Sequence, residues 1–155
     1  MKTRDQLQTM AVTYAEICQG ESPWIALGNF MNDWFDYAKD RREQLVHGPL
    51  QHPDVLTPEL QRWAAFCAAS VEWFCEKYGI TCPAWVYDPV YSLTEAWFYY
   101  PLARSQDLEQ QKELRERLRQ QTPEPFTRRN IYCGNRMFNN KYEYAEQRSR
   151  RRRSA

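Results

Sequence analysis

Glycine is scarce in this chain, with five in 155 residues and none of them clustered. That excludes a Walker phosphate loop and a Rossmann fingerprint, which both need closely spaced glycines so that backbone can approach phosphate. Histidine is scarcer still. His47 and His52 are the only two, both in the proline-flanked stretch HGPLQHP. Five cysteines (Cys18, Cys67, Cys75, Cys82 and Cys133) are scattered and contain no Cys-x-x-Cys pair. A structural zinc site draws four ligands, usually in close pairs, so buried reduced thiols are expected, with no metal and no cofactor. There is no Gly-x-Ser-x-Gly elbow, and no spacing singles out a Cys–His pair. No stretch reaches the roughly eighteen uninterrupted apolar residues of a membrane span. Polar residues also interrupt the first twenty positions, where a secretory apolar core would lie. These absences lead to the expectation of a cytoplasmic protein that is not an enzyme and has no membrane partner.

Aromatic residues, by contrast, are plentiful. They make up 15% of the chain, including six Trp and ten Tyr, within a hydrophobic total of 43%. So much aromatic surface has to be buried or used for binding, and the length suits one domain with a real core. The net charge of +1 conceals an asymmetry. Residues 1–125 carry 12 basic against 18 acidic side chains, a balance of −6, while 126–155 carry 9 against 2, a balance of +7. A mildly acidic body with a basic end suggests a polyanionic partner or an acidic protein surface.

Three segments show helical periodicity. Thr3, with Gln6 in capping-box position, predicts a helix whose stripe is Leu7, Met10, Ala11, Tyr14 and Cys18, stopped by Gly20. Ser22-Pro23 opens a second, running to about Val46, with Trp24, Leu27, Met31, Trp34 and Phe35 on one face. On its other face Asp33, Asp36, Asp40 and Glu43 alternate with Lys39, Arg41 and Arg42, a pattern of a solvated face with internal ion pairs rather than a cation site. Thr57-Pro58 opens a third, with Leu60, Trp63, Ala64, Cys67, Val71, Phe74, Cys75 and Tyr78 in register and Gly79 as its cap. The expected fold is all-α: a small helical bundle over residues 1–146, with residues 147–155 a basic, flexible tail.

ITCPAWVYDPVYSLTEAWFYYPLA (residues 80–103) breaks this periodicity with prolines and seven aromatics. It predicts a loop packed across the bundle, with one short helix near residues 93–99. Ser105 then begins QDLEQQKELRERLRQQ, a strongly helical segment whose apolar contacts are only Leu108, Leu114 and Leu118.

TPEPFTRRNIYCGNRMFNN (residues 122–140) admits two readings. In the first, Phe126, Ile131, Met137 and Phe138 pin a docking arm to the body and Arg128 and Arg129 are presented outward. A protein partner would then meet Trp85, Trp97, Phe98, Phe126, Arg128, Arg129 and Asn130, residue types enriched where interfaces concentrate binding energy. In the second, the region grips nucleic acid. Arg128, Arg129, Arg136, Lys141, Arg150, Arg151, Arg152 and Arg153 would meet phosphates, with Tyr132 available for stacking. The first reading is preferred, because the acidic body repels a polyanion.

PAWVYDPVYSLTEAWFYYP resembles the Pro-Ala-Trp-x-x-Asp-Pro … Trp-Phe segment of a family of small bacterial proteins. TPEPFTRRNIYCGNRMFNN is similar to that family's closing Pro-x-x-Phe-x-Arg-Arg-Asn-Ile/Val motif. The matching positions are Pro83, Ala84, Trp85, Asp88, Pro89, Trp97, Phe98, Pro125, Phe126, Arg128, Arg129, Asn130 and Ile131. The family is encoded beside nucleotidyltransferase-like toxins, with some members fused to a helix-turn-helix domain. This chain shows no such pattern ahead of its first helix and adds a polyarginine end. The resemblance implies a regulatory, antitoxin-like partner of a toxin and brings no catalytic residue with it.

Overall fold

In the structure, a computed structural model that describes residues 6–99 and 107–154, the chain wraps around one central helix. The sequence start and stop signals of that helix, α4 (Pro58–Tyr78), act as written. Thr57 Oγ1 accepts the Leu60 N–H at 3.2 Å, Pro58 takes the first turn, and Gly79 adopts φ +69° at the exit, a conformation that favours glycine. Its burial goes further than a single stripe. Every residue from Trp63 to Glu72 is buried, as are Phe74 and Cys75. The alanines at 64, 65, 68 and 69 let neighbours approach closely from several sides, and a helix apolar most of the way round belongs inside.

Helix α1 (Met10–Cys18) starts later than the sequence predicts. Thr9, not Thr3, caps it, accepting the Val12 N–H at 3.0 Å, and Gln6 is exposed and non-helical. Thr3 lies outside the described residues. The Gly20 stop holds, at φ +102°. Asp33 supplies the reason for the delayed start: its carboxylate accepts the Gln8 backbone N–H at 2.8 Å, tying the entry to the next helix.

The single helix expected over 22–46 is divided. Helix α2 (Pro23–Asn32) runs into a π-turn over Asp33–Tyr37, closed by Ala38 N–H to Asp33 C=O at 2.8 Å. A short 3-10 turn (Lys39–Arg41) and α3 (Arg42–His47) follow. The extra residue in the turn brings the neighbours Trp34 and Phe35 both into the core, which a uniform 3.6-residue period does less well. Arg42 secures the bend: its Nε donates to Trp34 C=O at 3.0 Å while its guanidinium lies over the rings of Trp34 and Tyr78, 5.1 and 4.7 Å from their centroids. The four carboxylates expected along one face are therefore spread over three local geometries.

The proline-rich segment packs across the body as expected, through 3-10 turns at Ala84–Tyr87 and Pro89–Tyr91. The short helix expected near residues 93–99 is absent. Instead β1 (Trp97–Phe98) pairs in parallel with β2 (Ile131–Tyr132), Trp97 opposite Ile131 and Phe98 opposite Tyr132. The aromatic triplet follows period two. Trp97 and Tyr99 pack against Trp63, with centroids at 5.2 and 5.3 Å, while Phe98 stacks on Tyr132 at 4.8 Å. Local helix propensity yields to side chains wanted on opposite faces.

Helix α5 (Leu108–Gln121) is capped by Asp107, whose Oδ1 accepts the Glu109 N–H at 3.0 Å; Ser105 lies outside the described residues. Leu118 is its buried anchor, Leu114 is half-buried, and Leu108 is exposed. Helix α6 (Glu124–Thr127), β2 and α7 (Lys141–Ser154) complete the chain. Residues 147–154, expected as a flexible tail, continue α7. Phe66 is the hub of the core, its ring 5.2–6.4 Å from those of Trp24, Trp63, Trp97, Tyr99, Phe126 and Phe138. Predominantly helical, with one minimal strand pair among the described residues, the architecture is the expected all-α one. Among the described residues, no helix is long and apolar enough to cross a membrane.

Candidate functional site

The paired arginines take opposite environments. Arg129 turns inward, correcting the expectation that both are presented outward. Its Nη1 meets Glu72 Oε2 at 2.5 Å and Pro125 C=O at 2.6 Å, and its Nη2 donates to Val86 C=O at 2.8 Å. Glu72 is the one charged residue in the buried stretch of α4, and a carboxylate there needs a fixed cation to offset its lost hydration. Arg128 stays half-exposed and reaches Glu72 Oε1 at 2.5 Å, as an ion pair without hydrogen-bond alignment. It also lies 3.7 Å from Glu76 and 3.8 Å from Glu124. Both arginines are thus committed to the body rather than presented outward, and little of their charge is left for a partner.

The other expected contact residues divide between fasteners and surface. Trp85 donates its indole N–H to Val46 C=O at 3.0 Å. Phe126 is buried in the core, and Trp97 packs between Trp63 and Tyr99. Asn130 adopts φ +67° and its Nδ2 donates to Leu93 C=O at 3.2 Å, joining the two motif segments. These residues fasten the chain to itself. Phe98 and Tyr132 form a half-exposed stack, and the guanidiniums of Arg115 and Arg119 sit 5.1 Å from the Phe98 centroid. Arg136, Lys141, and Arg150 to Arg153 are exposed, Lys141 and the tail arginines on α7.

The buried groups behave as structure. Burial pushes the Cys75 and Cys133 thiols up to about 12 and raises the Cys67 thiol as well. No such thiol is activated as a nucleophile, which requires a lowered value. His52 has a function the sequence did not reveal. Its ring bridges the hydroxyls of Tyr14 (3.1 Å from Nδ1) and Tyr91 (3.0 Å from Nε2), clasping the proline-flanked linker to the body. Among the described residues, no group of three or more His, Cys, Asp or Glu is placed to hold a metal ion.

A groove of about 520 Å³ opens between α5 and residues 133–137. Leu114, Leu118, Met137 and Trp24 contribute its apolar surface, and Arg117 and Arg136 line it with the amides of Gln121 and Asn135. The loop wall is held in place by Gly134, whose N–H donates to Thr122 Oγ1 at 2.8 Å. No carboxylate lines the groove, and among the described residues none lies within ion-pair distance of Arg117 or Arg136. Sequence reasoning missed Arg117 and Trp24 as site residues. Arg117 reads as one charge in a solvated helix and Trp24 as a core position, and only the packing of α5 on the closing segment makes them neighbours. No protein-family model, curated protein or solved structure matches this chain.

Proposed function

We propose that this protein is a non-catalytic, regulatory interaction protein that holds a protein partner through the groove between α5 and residues 133–137. The observation that carries the reading is the groove itself: apolar surface that the described residues leave uncovered, flanked by two arginines that none of the described carboxylates pairs. Apolar area with unsatisfied cations at its edge is the composition of an interface core and rim. The motif segments at 83–98 and 125–131, whose resemblance implies a toxin as partner, support this reading only indirectly: they join through the β1–β2 pair and fix the chain that leads into the groove's loop wall at residue 133. A nucleotidyltransferase-like toxin encoded next door is the partner to test, with this protein antitoxin-like. Co-expression of the two should give a complex of fixed stoichiometry on size exclusion and relieve growth arrest. Separate elution with undiminished arrest would refute the reading.

A second reading, nucleic-acid binding, is favoured by one observation: Arg148 and Arg150 to Arg153 stand exposed on the last turns of α7. Such binding belongs to the tail, since Arg128 and Arg129 are held by Glu72. It should vanish on deletion of residues 147–155 and survive Arg128→Ala. On duplex DNA it should weaken by about 0.9 log unit per released counterion for each decade of salt. Binding that survives the deletion would refute the tail assignment.

A further inference from the structure

We infer that the groove takes an acidic, amphipathic peptide segment of the partner: a bulky apolar anchor with carboxylates flanking it. The assignment presupposes the protein-partner reading and adds the chemistry of the bound segment. A volume of about 520 Å³ lies within the roughly 300–1,000 Å³ range of pockets that enclose a ligand. Leu114, Leu118 and Met137 present aliphatic and thioether surface, and methionine adapts to irregular apolar anchors. Arg117 and Arg136 give the lining a local charge of +2, with no carboxylate beside them among the described residues, and guanidinium forks pair bidentately with carboxylates. The amides of Gln121 and Asn135 offer donors and acceptors suited to a peptide backbone.

A nucleic-acid strand fits this surface less well. Base stacking uses open aromatic faces, whereas the one ring here, Trp24, has its N–H committed to Tyr99 O–H at 2.6 Å and its indole stacked on the Tyr99 ring. A polyphosphate would also extend over a body with a balance of −6, while a short peptide with two or three carboxylates meets only the local positive rim.

The test is a display selection of random dodecapeptides on the full-length protein, followed by fluorescence titration of the enriched sequences. Enriched peptides should combine a Leu, Phe or Trp with at least two Asp or Glu residues. Their affinity should fall at least tenfold on Arg117→Glu with Arg136→Glu and fall likewise on Met137→Lys. Arg117 and Arg136 are exposed, so the double variant should keep the wild-type melting curve, which separates loss of binding from loss of fold. No enrichment, enrichment of basic or uncharged peptides, or binding that ignores the double substitution would overturn the assignment. So would displacement showing that laurate or a single-stranded 20-mer oligonucleotide, rather than any peptide, occupies the groove. A neighbouring toxin that binds wild type and double variant equally would leave the protein-partner reading standing and remove this site from it.

Discussion

Replacing Arg129 by methionine tests the central claim that the Arg-Arg-Asn motif is an internal fastener. Methionine fills similar volume without the charge, so the effect is chiefly electrostatic. The substitution leaves Glu72, with a side chain 1% exposed, facing only the half-exposed Arg128. It also strips donors from the carbonyls of Pro125 and Val86. Removing one partner of a buried pair costs about 3–5 kcal/mol, and each buried acceptor left unsatisfied adds about 1–3 kcal/mol. Water entering the site and the remaining Arg128 offset part of this, so a net loss of about 3–5 kcal/mol is expected. For a domain of this size that lowers Tm by roughly 6–20 °C. Arg128→Ala should cost no more than about 1 kcal/mol, because its side chain is 46% exposed and solvent screens the pair. Replacing both members, Glu72→Leu with Arg129→Met, should recover at least about 2 kcal/mol of the sum of the single losses. Urea denaturation of the four variants provides the measurement. The reasoning fails if Arg129→Met costs as little as Arg128→Ala, or if the double variant shows simple additivity.

Phe66→Ala should destabilise by about 3–5 kcal/mol by urea denaturation, since it empties the point where six other rings converge, and Trp63→Ala should fall in the same range. Asn130→Ala should cost about 1–2 kcal/mol, from a strained positive φ and the lost bond to Leu93, whereas Asn130→Gly, measured alongside, relieves the strain and should cost less. Stability should fall with rising alkaline pH. The Cys133 thiol, held protonated by burial up to about 12 against an ordinary value of 9.0, contributes stability that is complete below pH 9 and lost as pH climbs towards 12. Unfolding measured across that window should flatten in Cys133→Ala, and at pH 8 in the native state Cys67, Cys75 and Cys133 should resist a thiol reagent that labels them in urea.

Local chemistry was legible along the chain wherever one segment carries its own instruction. Thr57-Pro58 and Gly79 bound α4, Gly20 stops α1, and the stripe through Trp63, Phe74 and Cys75 points inward, because caps and periodicity act within a few residues. The anchors Phe126, Ile131 and Phe138 were readable for the same reason: large apolar side chains are driven from water wherever they occur. The tertiary structure alone decided the rest. It broke the expected 22–46 helix at a π-turn so that both Trp34 and Phe35 could be buried, and it made a strand of Trp97–Phe98, since that stretch pairs with residues more than thirty positions away. It turned Arg129 inward because the buried carboxylate of Glu72, 57 residues earlier, requires a cation. It also set Arg117 and Arg136 at one groove, with no counter-ion for either among the described residues. Whether a charge is paired depends on distance in space, and a linear pattern of charges contains no such distance.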